Sequence, residues 1–136
     1  MGATGMQNTK TRLVWPEIPA KEHWLPYLEE SIEQNWHTNT GPASVRLEVR
    51  LQEMFAQTGE KAVVMSSATA ALSACLIAHH IRGPVICPAF TFQATPSAIL
   101  GANCQPVIVD VDPQTGIVSA VTLEHALRET GAAAAM

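Results

Sequence analysis

From Lys61 onward the chain alternates between short apolar runs and segments of helical spacing, and few folds accept that alternation. "KAVVMS" reads as a strand and "TAALSACLIAHH" as a helix. "PVICP" is a second strand, after which Thr95 caps a short helix with Pro96 at its first position and Gly101 just past its end. "QPVIVDVD" is a third strand, "PQTG" turns, and Ser119 caps a last helix, "AVTLEHALRE". The strands are rich in Val and Ile and show no polar alternation, so both faces of their sheet should be covered. The pattern therefore predicts an α/β fold with a mainly parallel sheet.

The first part of the chain has a different character. Residues 1–20 are polar and then punctuated by Pro16 and Pro19, an extended arm. "HWLPYLEESIEQN" places Leu25, Leu28 and Ile32 at helical spacing, and "WHTNTGP" is a loop of turn residues. A helix from about Ala43 to Gln57 puts Val45, Val49, Met54 and Phe55 roughly on one side, and Gly59 ends it. At the other end, "ETGAAAAM" follows a helix and leaves three strands where α/β sheets usually have more. The alanine run reads either as a frayed tail or as a chain cut off.

Composition removes several classes of function. The net charge is −4, and the eight Lys and Arg are scattered without a basic stripe, which argues against nucleic acid as a partner. The cysteines, Cys75, Cys87 and Cys104, are widely spaced among apolar residues and read as buried reduced thiols of a cytoplasmic protein. No Cys/His spacing suggests a metal site. The N-terminal residues contain no apolar h-region, and Met6 stands where a myristoylation motif needs Ser or Thr. No stretch approaches the roughly 18 apolar residues of a membrane span, so no membrane partner is expected.

Open α/β sheets place ligands at the carboxyl ends of their strands, and three features fall there. After the first strand comes Ser66-Ser67-Ala68-Thr69, which breaks an apolar run and resumes at once as a small-residue helix. A phosphate suits backbone N–H groups left uncovered at a helix start; a plain N-cap by Ser66 or Ser67 explains the same residues. After the second strand comes "PAFTFQAT", where Phe90 and Phe92 flank Thr91: a stacking surface for a flat ring, or core for one of the two. After the third come Asp110 and Asp112, which read as turn formers before Pro-x-x-Gly. His79 and His80 end a helix and His125 lies within one, with no Ser-His-Asp arrangement to join.

Together these motifs, in the order "TGP", "VVMSSATAAL", "VICPAFTFQAT" and "ILGANCQPVIVDVDPQTG", resemble the first third or so of the DegT/DnrJ/EryC1/StrS family of pyridoxal-phosphate-dependent sugar aminotransferases, over about Asn35 to Leu127. The resemblance implies the aspartate aminotransferase (fold type I) architecture. Residues 1–34 would then be an N-terminal arm and helix, and residues 35–136 an incomplete cofactor-binding large domain. It implies pyridoxal 5'-phosphate as cofactor, held at its phosphate by Ser67, Ala68 and Thr69, with Ala70 adding its N–H. Phe92 would stack on the pyridine ring beside Thr91 and Gln93, leaving Phe90 for the core. In the parent enzyme, a homodimer, it implies transfer of an amino group, from glutamate as amino-acid donor, to a keto group of a nucleotide-sugar substrate.

Two departures bear on that reading. Many family members carry Gly-Asp-Glu before the second strand, where this chain runs directly through "IRGPVICP". More consequentially, the family's Schiff-base lysine and the aspartate facing the pyridine nitrogen come later in the chain, and Lys10, Lys21 and Lys61 match neither position. No catalytic residue is therefore assigned; the chain reads as a fragment, inactive alone, from an enzyme. A same-family sugar dehydratase and a non-catalytic phosphate-binding module are the alternatives. The first strand should lack its ladder partner, and the helix after Ser67 should expose Leu72, Leu76 and Ile77, leaving the isolated chain prone to aggregate.

Overall fold

The computed structural model describes residues 16–136, which fall into two compact units divided between Val64 and Met65. The expected arm lies outside the described residues as far as residue 15, Lys10 included; residues 16–20 form neither helix nor strand.

The first unit is a helical pair, α1 (Lys21–Glu33) and α2 (Pro42–Phe55). α1 closes on Asn35, whose left-handed φ of 48° lets its N–H reach the Ile32 carbonyl while Trp36 N–H reaches Ser31. α2 opens with Pro42 at a position whose missing N–H costs nothing. It stops at Phe55, and Gly59 belongs to the turn that follows rather than to the helix end. Arg46 reaches back to the Glu30 carboxylate and lies over the Tyr27 ring, linking the two helices.

Lys61–Ser66, expected as a strand, forms no ladder. A strand exists only against a neighbour, and none is present among the described residues. Instead Val64 donates its N–H to a Glu48 carboxylate oxygen at 2.8 Å.

The second unit is built around β1 (Pro84–Pro88). It pairs in parallel with β2 (Gln105–Val109) on one side and β3 (Ala134–Ala135) on the other, giving the order β2-β1-β3. The alanine run is thus the third strand, not a frayed tail: Gly131, at φ 62°, reverses the chain after α5 (Ala120–Thr130), and Ala134 comes opposite Val85. β2 and β3 flank β1 on opposite sides, so the two crossovers run in opposite directions and place their helices on opposite faces. Val85 and Cys87 face α3 (Ala68–Ala78) and α4 (Ala94–Gly101), packing with Leu76, Ile99, Ala102 and Cys104. Ile86 faces α5, packing with Val109 and Ala126.

Several expected boundaries shift for physical reasons. α3 ends at Ala78, with His80 at φ 56° closing the same kind of left-handed cap. The left-handed reversal falls on Asn103 at φ 58°, and α4 has Gly101 as its last residue rather than just past its end. A Cβ there would come within 3.1 Å of Ser73 Oγ, which is tied to the Ala98 carbonyl; the glycine lets α3 and α4 approach. Thr95 does not cap α4, because the helix already begins at Ala94, after Gln93. Leu76 is buried rather than exposed, while Ile77 is half exposed as expected. Of the three cysteines, all free thiols, Cys87 and Cys104 are buried but Cys75 is exposed on α3. Burial pushes the Cys87 thiol pKa up. No helix among the described residues is long and apolar enough to cross a membrane.

Ile99 is fully buried between α4 and β1, whereas Val121 on α5 is 78% exposed. Ile99→Ala should cost about 2–5 kcal/mol in urea denaturation, and Val121→Ala should stay within about 0.5 kcal/mol. Equal effects would contradict this packing.

Candidate functional site

The candidate residues lie in the second unit, at the start of α3 and on the connections that follow β1 and β2. α3 ends near the start of β1 and packs back along it through Leu76. α3 packs on α4, where Ser73 Oγ donates to the Ala98 carbonyl at 2.8 Å, and β1 passes at its carboxyl end into Ala89–Gln93 and α4. Asp110–Ile117 leaves the same edge of β2, and the Ala89 N–H to Val109 carbonyl bond, at 2.8 Å, holds the two connections together where they begin.

At the start of α3, Ser67 is the N-cap. Its backbone is extended, and its Oγ accepts from the Ala70 N–H at 3.1 Å, while its carbonyl accepts from Ala71. The capping reading of this turn is therefore correct for Ser67, and Ser66 takes no part. The Ala70 N–H, expected to add to the phosphate site, here donates to Ser67 Oγ. The N–H groups of Ala68 and Thr69 have no partner among the described residues. Ser67 and Ala68 are exposed and Thr69 is half-buried, so two donors and two hydroxyls lie at the positive end of an 11-residue helix.

After β1, Phe90 and Phe92 are 77% and 75% exposed, so neither is core. The expectation of a core role for Phe90 fails because the ring lies over a loop: a Cβ on Gly116 would stand 3.2 Å from its Cδ1. Thr91 and Thr95 hydroxyls are 2.9 Å apart, and the Phe92 carbonyl accepts from Thr95 N–H, which fixes the entry to α4. The Gly116 contact was not legible beforehand; only a glycine in a turn marked it.

The aspartates are turn formers, as read. Asp112 Oδ1 accepts from the N–H groups of Gln114 and Thr115, both at 2.9 Å, and from the Thr115 hydroxyl. The Thr115 N–H, then that of Gln114, holds its pKa below the ordinary carboxylate value. Asp110 accepts from Val111 N–H. β2 ends at Val109 because these carboxylates compete for the backbone. His125 lies 3.3 Å from Glu129 on an exposed face of α5 and joins no nucleophile.

The donor set fits a phosphate monoester: unpartnered N–H groups, hydroxyls, and small side chains that let an anion reach the backbone. Exposed Phe92 fits a flat ring. No lysine occurs in residues 65–136, so nothing in this unit can bond covalently to an aldehyde through an amine.

The sequence profile of the DegT/DnrJ/EryC1/StrS aminotransferase family matches residues 20–135, and the chain belongs to that family. It is 36% identical to the dTDP-4-amino-4,6-dideoxy-D-glucose transaminase of Escherichia coli over 97 residues, 71% of this chain and 26% of that protein. It is 33% identical over 103 residues to EpsN of Bacillus subtilis (strain 168), whose name places it among pyridoxal phosphate-dependent aminotransferases; that match covers 76% of this chain and 26% of EpsN. The crystal structure of DesI with its TDP-sugar product superimposes with a TM-score of 0.76 and 28% identity, over 88% of this chain and 30% of DesI. The chain thus spans about a quarter of the length of these curated relatives. Its fold is α/β with a parallel sheet, part of the fold type I architecture of the sugar aminotransferases.

Because Asp112 has a lowered folded-state pKa, it stabilises the fold fully above its unfolded value. That contribution is lost as pH falls through the lower folded value. Asp112→Asn should therefore flatten the acid limb of stability below about pH 4, measured by urea midpoints from pH 2 to 6. An unchanged limb would contradict the bonding of this loop.

Proposed function

We propose that residues 35–136 belong to the cofactor-binding large domain of an aminotransferase, where they hold pyridoxal 5'-phosphate. The observation that carries this reading is the pair of unpartnered N–H groups on Ala68 and Thr69 at the start of α3. They occur in a chain that the aminotransferase family profile matches over residues 20–135. The hydroxyls of Ser67 and Thr69 donate to the phosphate. Ser67 Oγ can do so while still accepting from Ala70, since a hydroxyl both donates and accepts. The helix dipole favours the dianion. Phe92 lies against the ring, with Thr91 and Gln93 beside it.

Bound there, the cofactor supplies the electron sink that amino-group transfer requires. The residues described here orient it and neutralise its phosphate, and the proposal gives them no proton-transfer role. The names of the relatives support a nucleotide-linked sugar as amino acceptor. Glutamate as donor and a homodimeric assembly complete the proposal, with the three free cysteines supporting a reducing, cytoplasmic setting.

Thr69→Ala removes one hydroxyl donor to a charged acceptor, a loss of about 1.5–3 kcal/mol, or roughly ten- to a hundredfold in cofactor affinity. Equilibrium dialysis of the chain against pyridoxal 5'-phosphate reads this directly. Equal affinity in mutant and wild type would remove Thr69 from the site.

A further inference from the structure

The connection after β2 bears on the one after β1 through a contact that neither sequence motif announces. Gly116 adopts φ 70°, and a Cβ on it would stand 3.2 Å from Cδ1 and 3.5 Å from Cε1 of Phe90. The ring edge therefore lies against Gly116, close enough that a Cβ there would push it back by a few tenths of an ångström. Gly116 is itself held, because its N–H donates to the Asp112 carbonyl at 2.7 Å and Asp112 N–H donates to Ile117. The Asp112 carboxylate ties Gln114 and Thr115 into the same turn. This turn is tied by its own hydrogen bonds, and Phe90 rests on it. Phe90 is still 77% exposed, so the contact contributes little by burial.

On the other side of Phe90 the chain is equally constrained. The Ala89 N–H continues the ladder to Val109, and Thr91 is tied to Thr95 at the start of α4. Two residues after Phe90 comes Phe92, whose ring is 75% exposed. We infer that Phe90 and Gly116 form a clamp that sets the direction of the Phe90–Phe92 segment, making both positioning residues for the ring-binding role of Phe92. The inference rests on the cofactor reading above. An exposed aromatic left to itself samples several rotamers, and fixing its backbone before binding reduces the entropy lost on stacking.

The clamp acts through Phe92, so its effect must vanish when Phe92 is gone. The experiment is a double-mutant cycle on the full chain, reading affinity for pyridoxal 5'-phosphate by equilibrium dialysis, with melting temperatures recorded alongside. Phe90→Ala should weaken binding about three- to tenfold with little change in melting temperature. Phe90→Tyr, which keeps the ring, should bind like wild type. In the Phe92→Ala background, Phe90→Ala should have no further effect. Wild-type affinity in Phe90→Ala, or additive losses in the double mutant, would overturn the clamp and leave the cofactor reading standing. If Phe92→Ala alone binds like wild type, the ring-binding role fails and the clamp with it. An absence of measurable binding by wild type would overturn the cofactor reading itself.

Discussion

β1 is the strand on which the second unit is organised. Val85, Ile86 and Cys87 are almost completely buried, the first and third against α3 and α4, the second against α5. Its two edges are both taken, by β2 along its full length and by β3 at Val85 and Ile86. A strand enclosed in this way cannot be shortened or shifted by one residue without turning buried side chains toward the wrong helix. Because β1 is pinned, its carboxyl end is pinned too. The Ala89–Gln93 connection leaves from that end, held at its start by the Ala89 N–H to Val109 carbonyl bond.

Much of this was legible in the residues, and the failures have identifiable causes. "PVICP" announced a doubly covered strand because an unbroken apolar run has no face to offer water. Ser119 and Ser67 announced helix starts because their hydroxyls accept from N–H groups three residues on. Lys61–Ser66 has the composition of a strand and forms no ladder, as expected of a strand without its partner, while the sheet's third member was not foreseen. Ala134–Ala135 has poor strand composition but lies opposite Val85 and Ile86. Helix ends were misread where Asn103 and His80, rather than glycine, adopt the left-handed conformation. Exposure of Phe90 could not be read from sequence at all, because its contact is with a glycine that has no side chain to signal it.

At Ser67 the capping reading and the phosphate reading do not exclude one another. Capping occupies the Ser67 lone pair and the Ala70 N–H, but it leaves the serine proton and the next N–H groups free. A cap of this kind organises the helix start without closing it. The rest of the chemistry is divided elsewhere. Residues 65–136 hold no lysine, and the chain spans 26% of the length of the curated relatives it matches. The role proposed for this unit is recognition of a phosphate and a ring, not the covalent step.

That claim is tested most directly by comparing pyridoxal 5'-phosphate with pyridoxal, which has the same ring and no phosphate, as ligands for the chain. If the start of α3 is a phosphate site, pyridoxal should bind at least tenfold more weakly, the equivalent of about 1.4 kcal/mol. Inorganic phosphate should then displace the phosphorylated form, with the bound ³¹P signal shifted from the free one. Equal binding of the two ligands, unaffected by inorganic phosphate, would contradict the account.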